Sequence, residues 1–405
     1  MRRNPKGITM AKNRKPPSTI SNNRTPLLEF LGVASPPARP GKNPLIGIIE
    51  GSGIGPEVIA GALRVLAAVE QVTGLKCELR HGGVIGEEAE KHFGSSLPET
   101  TARFYTEIFS RGGAILNGPG GGRFVYDLRK RFDLFCKFVP VRSCPQLARN
   151  APSIASDNLH PIDMLIVRDN IAGAYQGHWS VRETKSGKIA EHSFNYTSRQ
   201  VQRLADVAAR AAAARRGKIH VVVKDGGLPA VTELWREVSV AEATKRNVEA
   251  IFINVDLAAY EFIRNPAQFD VVLTPNLFGD ILVDITGALL GSRGVTFSGN
   301  YDGAGNAVYQ TNHGCAHDLA GADVANPGGQ ILSLAMMLRE SFGQDHAATL
   351  MENALAASWQ DGWRTADVAE PGCRVLGTHA MAEQVAQHLL RLAEKPENEI
   401  RVAAD

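Results

Sequence analysis

Two aspartates four residues apart carry the most specific chemical signal in the sequence. Asp280 and Asp284 close the stretch Asn-Leu-Phe-Gly-Asp-Ile-Leu-Val-Asp at 276–284, which follows an apolar run at 271–274. If a helix begins near Gly279, both carboxylates share one helix face just past a strand end. Carboxylates so placed repel each other unless a cation lies between them, and oxygen ligands suit Mg²⁺ or Mn²⁺. The alternatives are a solvated acidic face or, for Asp280, a partner for the helix dipole.

Three basic residues are candidates for binding or proton transfer. Lys224 follows the apolar run 219–223, and a lysine held at a strand end near apolar walls can take part in proton transfer. Arg168 follows another such run at 164–167, and both Arg168 and Arg129 suit the binding of substrate carboxylates. The alternatives are a solvated lysine and arginines in surface ion pairs.

A glycine cluster follows the first predicted strand. Residues 51–57 read Gly-Ser-Gly-Ile-Gly-Pro-Glu between the apolar run 45–49 and a helix predicted over 56–72. The third glycine falls one position early for a dinucleotide-binding G-x-G-x-x-G, and no acid clearly ends a second strand about twenty residues later. A tight strand-to-helix turn near a ligand is the preferred interpretation, and a Rossmann site is the alternative.

The elements around these residues alternate between strands and helices. Short apolar runs predict strands at 45–49, 114–116, 164–167, 219–223 and 271–274. Helical patterns lie between or after them at 198–215, 280–290 and 329–341. This order predicts an α/β sheet with its functional residues at the strand ends.

Composition limits the class of protein. The chain has 405 residues, 44% apolar residues and a formal net charge of +2, which predicts a globular protein and argues against a nucleic-acid partner. Its five cysteines contain no closely spaced pair of zinc or redox type, so we expect free thiols in a reducing compartment. No apolar run reaches the length of a membrane span, so we expect a soluble protein.

Residues 1–42 differ from the rest of the chain. They contain nine Lys or Arg, seven Pro and one acid, Glu29, so the body from residue 43 onwards is acidic. Such a segment cannot bury enough surface to offset its conformational entropy, and we predict a disordered basic tail. The alternatives are a mitochondrial transit peptide and a nonspecific anionic contact, with Met10 a possible start. We therefore expect a cytoplasmic protein, or a mitochondrial-matrix one if the tail is a transit peptide.

Taken together, the motifs resemble the isocitrate/isopropylmalate dehydrogenase family of metal-dependent, decarboxylating 2-hydroxyacid dehydrogenases. Seven blocks between about residues 45 and 390 keep the family's order. They are residues 51–57, Leu-Arg-Lys at 128–130, Arg-Asp-Asn at 168–170 with Gly173 and Tyr175, Lys224, Val-Asp at 255–256, 276–284, and 313–321 with Ala-Asn-Pro at 325–327.

The resemblance implies a fold and an assembly. It implies a two-domain α/β fold with a mixed, non-Rossmann sheet. The large, cofactor-binding domain would contain residues 43–134 and 291–405, and the small domain would contain 135–290 with the dimer interface. It also implies a homodimer with shared active sites, in which Lys224 and Asp256 come from the second subunit.

The resemblance also implies roles for individual residues. Asp256, Asp280 and Asp284 would bind Mg²⁺ or Mn²⁺, Arg129 and Arg168 would bind the malate carboxylates, and Tyr175 and Lys224 would be the acid-base pair. The residues expected to bind the dinucleotide are His313, Gly314, Ala316, Asp318, Leu319 and Asn326. Asp318 and Leu319 resemble the pair in NAD-preferring members, whereas NADP-preferring members usually have Lys and Tyr there.

Several family positions are changed in this sequence. Val139 replaces the second arginine of the substrate clamp, Gly226 replaces an asparagine, and Gln310 replaces a glutamate. Lys137 or Arg142 could compensate for the missing arginine, Lys137 by sharing a strand face with residue 139.

The substrate itself is left open by the sequence. Arg123, Val125 and Tyr126 occupy the pocket for the substrate's third substituent, and the arginine and tyrosine suggest a polar or anionic group. Asn170 resembles the isocitrate, homoisocitrate and tartrate branches. The leading hypothesis is an NAD-dependent decarboxylating dehydrogenase of a 3-substituted malate, either isocitrate-like or 3-isopropylmalate-like. The alternative is a non-catalytic, ligand-binding regulatory homologue.

Overall fold

The strands predicted from the apolar runs lie in one mixed ten-stranded sheet, seen in a computed structural model that describes residues 25–33, 43–150 and 162–394. The sheet order is β2-β1-β3-β12-β11-β4-β5-β10-β8-β9, and two further pairs are β6-β7 and β13-β14. The strands are β1 Leu45–Ile49, β2 Glu78–His81, β3 Ala114–Asn117, β4 Cys136–Arg142, β5 Asp163–Asp169, β6 His178–Thr184, β7 Gly187–Ser193, β8 Lys218–Val223, β9 Glu249–Asn254, β10 Val271–Thr274, β11 Phe297–Tyr301, β12 Ala307–Thr311, β13 Trp363–Arg364 and β14 Arg374–Val375.

Helices cover the sheet on both faces. The described α-helices are α1 Leu27–Phe30, α2 Gly55–Thr73, α3 Gly86–Phe93, α4 Glu99–Ser110, α5 Phe124–Arg131, α6 Ser198–Ala213, α7 Pro229–Lys245, α8 Val255–Arg264, α9 Asn276–Leu289, α10 Gly328–Phe342, α11 Asp345–Gln360 and α12 Thr378–Ala393. Short 3₁₀ turns lie at Pro145–Asn150, Ala174–Gln176, Pro266–Gln268, Arg293–Val295 and Ala366–Val368.

The sheet is parallel except around β4 and β11, which are antiparallel to their neighbours in the series β12-β11-β4-β5. Burial on both faces explains why the strands appear as unbroken apolar runs: all four residues of β10 are buried. This mixed, non-Rossmann α/β sheet is the predicted fold class. Strands from residues 135–290 occupy one end of the sheet and the remaining strands the other; the predicted division into two domains stays a prediction.

Local sequence explains the helix boundaries. The α2 helix begins with Pro56 in its first turn and ends at Gly74, whose φ of 70° is a left-handed conformation that favours glycine. Thr197 caps α6 by accepting a hydrogen bond from Gln200 N (3.3 Å), while the Gln200 side chain accepts one from Thr197 N (2.9 Å). Both helices lie within two residues of their predicted ends.

The predicted disorder of residues 1–42 is wrong for the segment 25–33. Within it, α1 places Leu27, Leu28 and Phe30 in the main hydrophobic core, where each is at most 5% exposed. The Phe30 ring meets the Phe138 ring of β4 at a centroid distance of 6.4 Å. Leu27 N donates a 2.6 Å hydrogen bond to Glu340 Oε2. Residues 1–24 and 34–42, and with them the transit-peptide alternative, lie outside the described residues.

Candidate active site

Arg168, at the carboxyl end of β5, is the centre of the predicted site. It is 1% exposed, and its guanidinium reaches the first turn of α9. Nη1 lies 2.7 Å from Asp280 Oδ1, and Nη2 donates to Asn276 Oδ1 at 2.8 Å. Gly279 makes the approach possible, because a Cβ there would lie 2.7 Å from Arg168 Cγ. The strand end and the helix start therefore fit only with glycine between them.

The Asp280 carboxylate also binds Tyr175. The Tyr175 hydroxyl donates to Asp280 Oδ2 at 2.7 Å, so the two carboxylate oxygens have different partners. Burial raises the pKa of Asp280, but the charge of Arg168 and the hydrogen bond from Tyr175 together lower it by more, so the net shift is downward. Burial and the nearby Asp280 raise the pKa of Tyr175. The tyrosine is therefore a proton donor to an ionised carboxylate at neutral pH.

Aromatic and basic residues form the rim of this cleft. The Tyr126 and Tyr175 ring centroids are 5.0 Å apart, and Gln176 Nε2 donates to Tyr126 O at 3.0 Å. The exposed Arg123 places its guanidinium carbon 4.6 Å from the centre of the Trp179 ring and 5.4 Å from that of Tyr126. Arg123 and Tyr126, predicted to read the third substituent, thus lie next to the predicted catalytic tyrosine.

Arg129 extends the positive charge into the interior. It lies on α5, is 4% exposed, and its side chain makes no hydrogen bond or ion pair with any described residue. Burial and the nearby Arg168 lower the pKa of Arg129 to about 9, against a smaller opposing effect of Asp280. Burying a guanidinium without a counterion costs free energy, and binding of an anionic ligand would offset that cost.

Lys224 and Asp256 form a separate group, the lysine–aspartate pair. Lys224 Nζ lies 2.7 Å from Asp256 Oδ1, and the side chains are 40% and 68% exposed. The Lys224 hydrogen bond holds the pKa of Asp256 below its ordinary value. In the described part of the chain, neither residue forms a hydrogen bond or ion pair with Asp280 or Tyr175.

The three predicted metal ligands are consequently not gathered within one chain. Asp280 and Asp284 lie on the same face of α9, and Asp284 Oδ2 is 3.2 Å from Arg293 Nη2. The described residues contain no group of three or more His, Cys, Asp or Glu that could hold a metal ion. Two carboxylates on one helix face suit a hard divalent cation, and among the described residues no third His, Cys, Asp or Glu joins them in a group that could hold one.

The predicted cofactor loop follows β12 and packs on the first glycine cluster. Ile54 N donates to Cys315 O at 2.9 Å, and Gly53 (φ 63°) leaves no room for a Cβ, which would lie 2.0 Å from that oxygen. The glycine cluster is therefore a tight turn that supports the loop, the interpretation preferred from its spacing.

Within the loop, exposed residues are available to a ligand. Gly314, Asp318 and Leu319 are exposed, Ala316 is half-buried with a φ of 43°, and His313 Nδ1 lies 3.0 Å from Gly314 O. Asn326 differs from them, since it is 6% exposed and bonds Gly328 N (2.8 Å) and Asp367 Oδ2 (3.1 Å). Its side chain holds the loop to the helix start.

Two residues of this site are not predicted from the sequence. Asn276 and Gly279 position Arg168, and both lie in the stretch 276–284, whose aspartates carry the chemical signal. The signal was an asparagine directly after Pro275, where α9 begins. Asn170, which resembles the isocitrate, homoisocitrate and tartrate branches, is fully buried, and its Nδ2 donates to Leu134 O and Asn300 Oδ1 inside the fold.

Comparison with known proteins assigns the chain to a family. The sequence model of the isocitrate/isopropylmalate dehydrogenases matches residues 45–385. The chain belongs to the isocitrate/isopropylmalate dehydrogenase family. It is an oxidoreductase acting on a CH–OH group, as the names of its relatives indicate.

Relatives in this family cover most of the chain. The 3-isopropylmalate dehydrogenase of Nitrosomonas europaea is 37% identical over 85% of this chain and 99% of its own length. That of Aquifex aeolicus is 34% identical over 86% and 98%. Among solved structures, isocitrate dehydrogenase from Methylococcus capsulatus has a TM-score of 0.75 at 30% identity, covering 86% of this chain and 99% of that one.

The departures from the family pattern lie in three settings. Val139 is 1% exposed within β4, and Gln310 is half-buried in β12. Gly226 stands in the turn after Lys224, where an added Cβ would meet nothing within 4 Å.

Among the described residues, no helix is long and apolar enough to cross a membrane.

Proposed function

We propose that this chain catalyses the NAD-dependent and Mg²⁺- or Mn²⁺-dependent oxidative decarboxylation of a 3-substituted malate, isocitrate-like or 3-isopropylmalate-like. The observation that carries the proposal is the cluster of buried Arg129 and Arg168 beside the Asp280–Tyr175 hydrogen bond. Two buried cations next to a proton donor suit a dicarboxylic acid that must be both held and protonated.

Arg129 and Arg168 would bind the carboxylates of the malate moiety. Among the described residues Arg129 pairs with no anion, and Arg168 pairs with Asp280. A desolvated guanidinium binds a carboxylate by short, charge-assisted hydrogen bonds, which also set the orientation of the acid. The substrate's hydroxyl-bearing carbon would then lie next to Asp280 and Tyr175.

A divalent cation fits the oxygen donors of α9 if Asp256 of a second copy supplies the third carboxylate. Asp280 and Asp284 would hold it from one chain, and Lys224 and Asp256 from the other would complete the site. When bound, the cation would polarise the 2-hydroxyl and 1-carboxylate and stabilise negative charge during decarboxylation.

Proton transfer would be divided between Lys224 and Tyr175. Lys224, in its neutral form and directly or through a water, would remove the proton of the 2-hydroxyl as hydride leaves the carbon. Tyr175, already a donor to Asp280, would protonate the carbon from which carbon dioxide departs. Oxidised nicotinamide would accept the hydride.

The nicotinamide dinucleotide is assigned to the loop after β12, with His313, Gly314, Ala316, Asp318 and Leu319 as its contacts and Asn326 as support. The exposed carboxylate of Asp318 can accept a hydrogen bond from a ribose hydroxyl and would repel a 2′-phosphate, which favours NAD over NADP.

A homodimer accounts for the separation of the lysine–aspartate pair from Asp280. Apolar side chains are exposed on β6 and on α8, the helix that carries Asp256: Trp179 and Val181 on β6 are 56% and 67% exposed, and Leu257 and Tyr260 on α8 are 50% and 58% exposed. Such a surface is typical of an interface. We propose a cytoplasmic enzyme; the relatives named above are bacterial, and the mitochondrial alternative has no support from them.

The test is a steady-state assay with Mg²⁺ and NAD against isocitrate, homoisocitrate, 3-isopropylmalate, tartrate and D-malate. Reduction of NAD with at least one acid, lost on chelation and in Asp280→Asn with the fold intact by circular dichroism, is the expected result. The comparisons do not favour the non-catalytic alternative. Metal-dependent binding of an acid with no turnover of any would replace the proposed reaction with it.

A further inference from the structure

Lys137 lies on the same sheet face as Arg168. In the antiparallel register of β4 and β5, Lys137 pairs directly with Arg168, and on its other side it pairs with Asn300 of β11. Paired residues project their side chains to the same face, and so do residues two apart in one strand. Lys137, Arg168 and Val139 therefore share a face of the sheet. This is the face from which Arg168 reaches Asp280.

The Lys137 amine is buried without a bonding partner among the described residues. The residue is 3% exposed, and within the described chain no hydrogen bond or ion pair reaches Nζ. Nζ is nevertheless not completely enclosed, so a small part of the atom remains accessible from the cleft. An ammonium held at the edge of a cleft without a counterion is costly unless an anion arrives.

The charges around Lys137 are those of the proposed substrate site. Arg129 and Arg168 are close enough to lower its pKa further after burial has done so, while Asp280 and Asp284 oppose the shift. Arg129, Lys137 and Arg168 are here called the cation wall. Arg142, on the same strand, does not belong to it, because its side chain is 46% exposed and pairs with Asp163 at 3.5 Å.

We propose that Lys137 is a substrate-binding residue that contacts a carboxylate of the malate moiety together with Arg129 and Arg168. Its longer side chain, two residues before Val139 on the same strand face, supplies a cation that Val139 cannot. The inference rests on the proposed function for the identity of the acid. It implies that every malate-type acid loses affinity when Lys137 loses its charge, because all of them share that moiety.

The experiment measures binding separately from turnover. Isothermal titration with Mg²⁺ present would give Kd values for isocitrate, 3-isopropylmalate and D-malate in the parent protein, Lys137→Met, Lys137→Arg and Arg142→Met. We expect Lys137→Met to weaken binding of each acid by about 10- to 100-fold, the usual effect of losing a hydrogen bond to a charged group. Lys137→Arg should recover most of the affinity, and Arg142→Met should equal the parent.

Thermal unfolding separates substrate binding from a structural role. Without ligand, Lys137→Met should melt at or above the parental temperature, because it removes an unpaired buried charge. A lower melting temperature with unchanged Kd values would overturn the inference. Parental Kd values in Lys137→Met beside normal turnover would remove the inference alone. Lys137-dependent binding without turnover of any acid would remove the proposed reaction alone, and failure of the parent to bind any of the acids would overturn both.

Discussion

The two halves of the candidate active site differ in how completely one chain builds them. The cation wall stands on β4, β5 and α5, with each residue at most 4% exposed. The lysine–aspartate pair lies past the ends of β8 and β9, with side chains 40% and 68% exposed. One half is rigidly placed and lacks only an anion, whereas the other is open and lacks the group on which it would act.

This difference has a physical origin in how each half is positioned. Strand register aligns Lys137 with Arg168, and Gly279 leaves room for Arg168 beside α9, so packing within one chain builds the cation wall. Lys224 and Asp256 satisfy each other at 2.7 Å and make no bond to the wall within the described chain. The open half is therefore the one we expect to act on a second copy of the chain.

Complementation between inactive variants tests that division and carries the largest expected effect. Asp280→Asn and Lys224→Met should each lower turnover by about 10²- to 10⁴-fold as homodimers. Co-expressed, the two chains should recover about a quarter of parental activity, because about half of the dimers are mixed and each mixed dimer keeps one intact site. Turnover of the purified mixture is the measurement.

The matched control pairs two defects on the side of the site that one chain builds around Arg168, where Tyr175 donates to Asp280. Asp280→Asn with Tyr175→Phe should recover nothing, because every site in a mixed dimer contains one of the two changes. Equal failure of both mixtures would mean that each chain uses its own Lys224, and the two halves would then have to close on each other within one subunit.

Phe30→Ala tests whether the cation wall depends on the amino-terminal segment. Phe30 packs on Phe138, the neighbour of Lys137 in β4, so the change should cost about 3–5 kcal/mol of unfolding free energy through lost burial and a cavity. Urea unfolding measures it, with Phe93→Ala as control, because Phe93 is 62% exposed and its loss should cost under about 0.5 kcal/mol. If both variants lowered the free energy of unfolding by the same small amount, residues 25–33 would not contribute to the stability of the fold.

Sequence reasoning succeeded where a periodic pattern and a chemical motif coincided. The strands β1 and β10 lie where the apolar runs predicted them, and Asp280 and Asp284 do share a helix face. It failed for α1, because four helical residues between Pro26 and Gly32 are too few to show a period. It also missed the β6-β7 hairpin, whose mostly exposed residues form no apolar run.

Contacts between distant residues explain the rest of what sequence could not predict. Arg168 and Lys137 are neighbours only through an antiparallel pairing inside an otherwise largely parallel sheet. The type and spacing of these residues suggested carboxylate binding, but the loss of an arginine at position 139 could not be weighed without knowing which face Lys137 shares. Sequence supplies the chemistry, and strand register decides which groups meet.

The pH dependence of stability probes the strand that carries the open half. His220 lies on β8 before Lys224, its ring is tilted against that of Phe269 at a centroid distance of 4.6 Å, and burial lowers its pKa to about 4. Between about pH 6.5 and 4 the unfolded chain binds a proton at this histidine that the folded chain does not. The free energy of unfolding therefore decreases as the pH is lowered through this range. From pH 7.5 to 4.5 the parent should lose about 2 kcal/mol more than His220→Leu, measured by urea unfolding at each pH. Parallel profiles would show that His220 titrates alike in both states.

Arg123→Gln gives the smallest expected effect and tests where the cation wall ends. Arg123 is exposed at the rim over Trp179 and Tyr126, so solvent screens its charge. We expect the ratio of kcat/KM for isocitrate to that for 3-isopropylmalate to fall by about 3- to 10-fold, because only isocitrate has an anionic substituent. Arg131→Gln on the same helix, which pairs with Glu99 at 2.8 Å, should leave the ratio unchanged. An unchanged ratio in Arg123→Gln, beside weakened binding of every acid in Lys137→Met, would confine charge recognition to the buried wall and leave the substituent to shape alone.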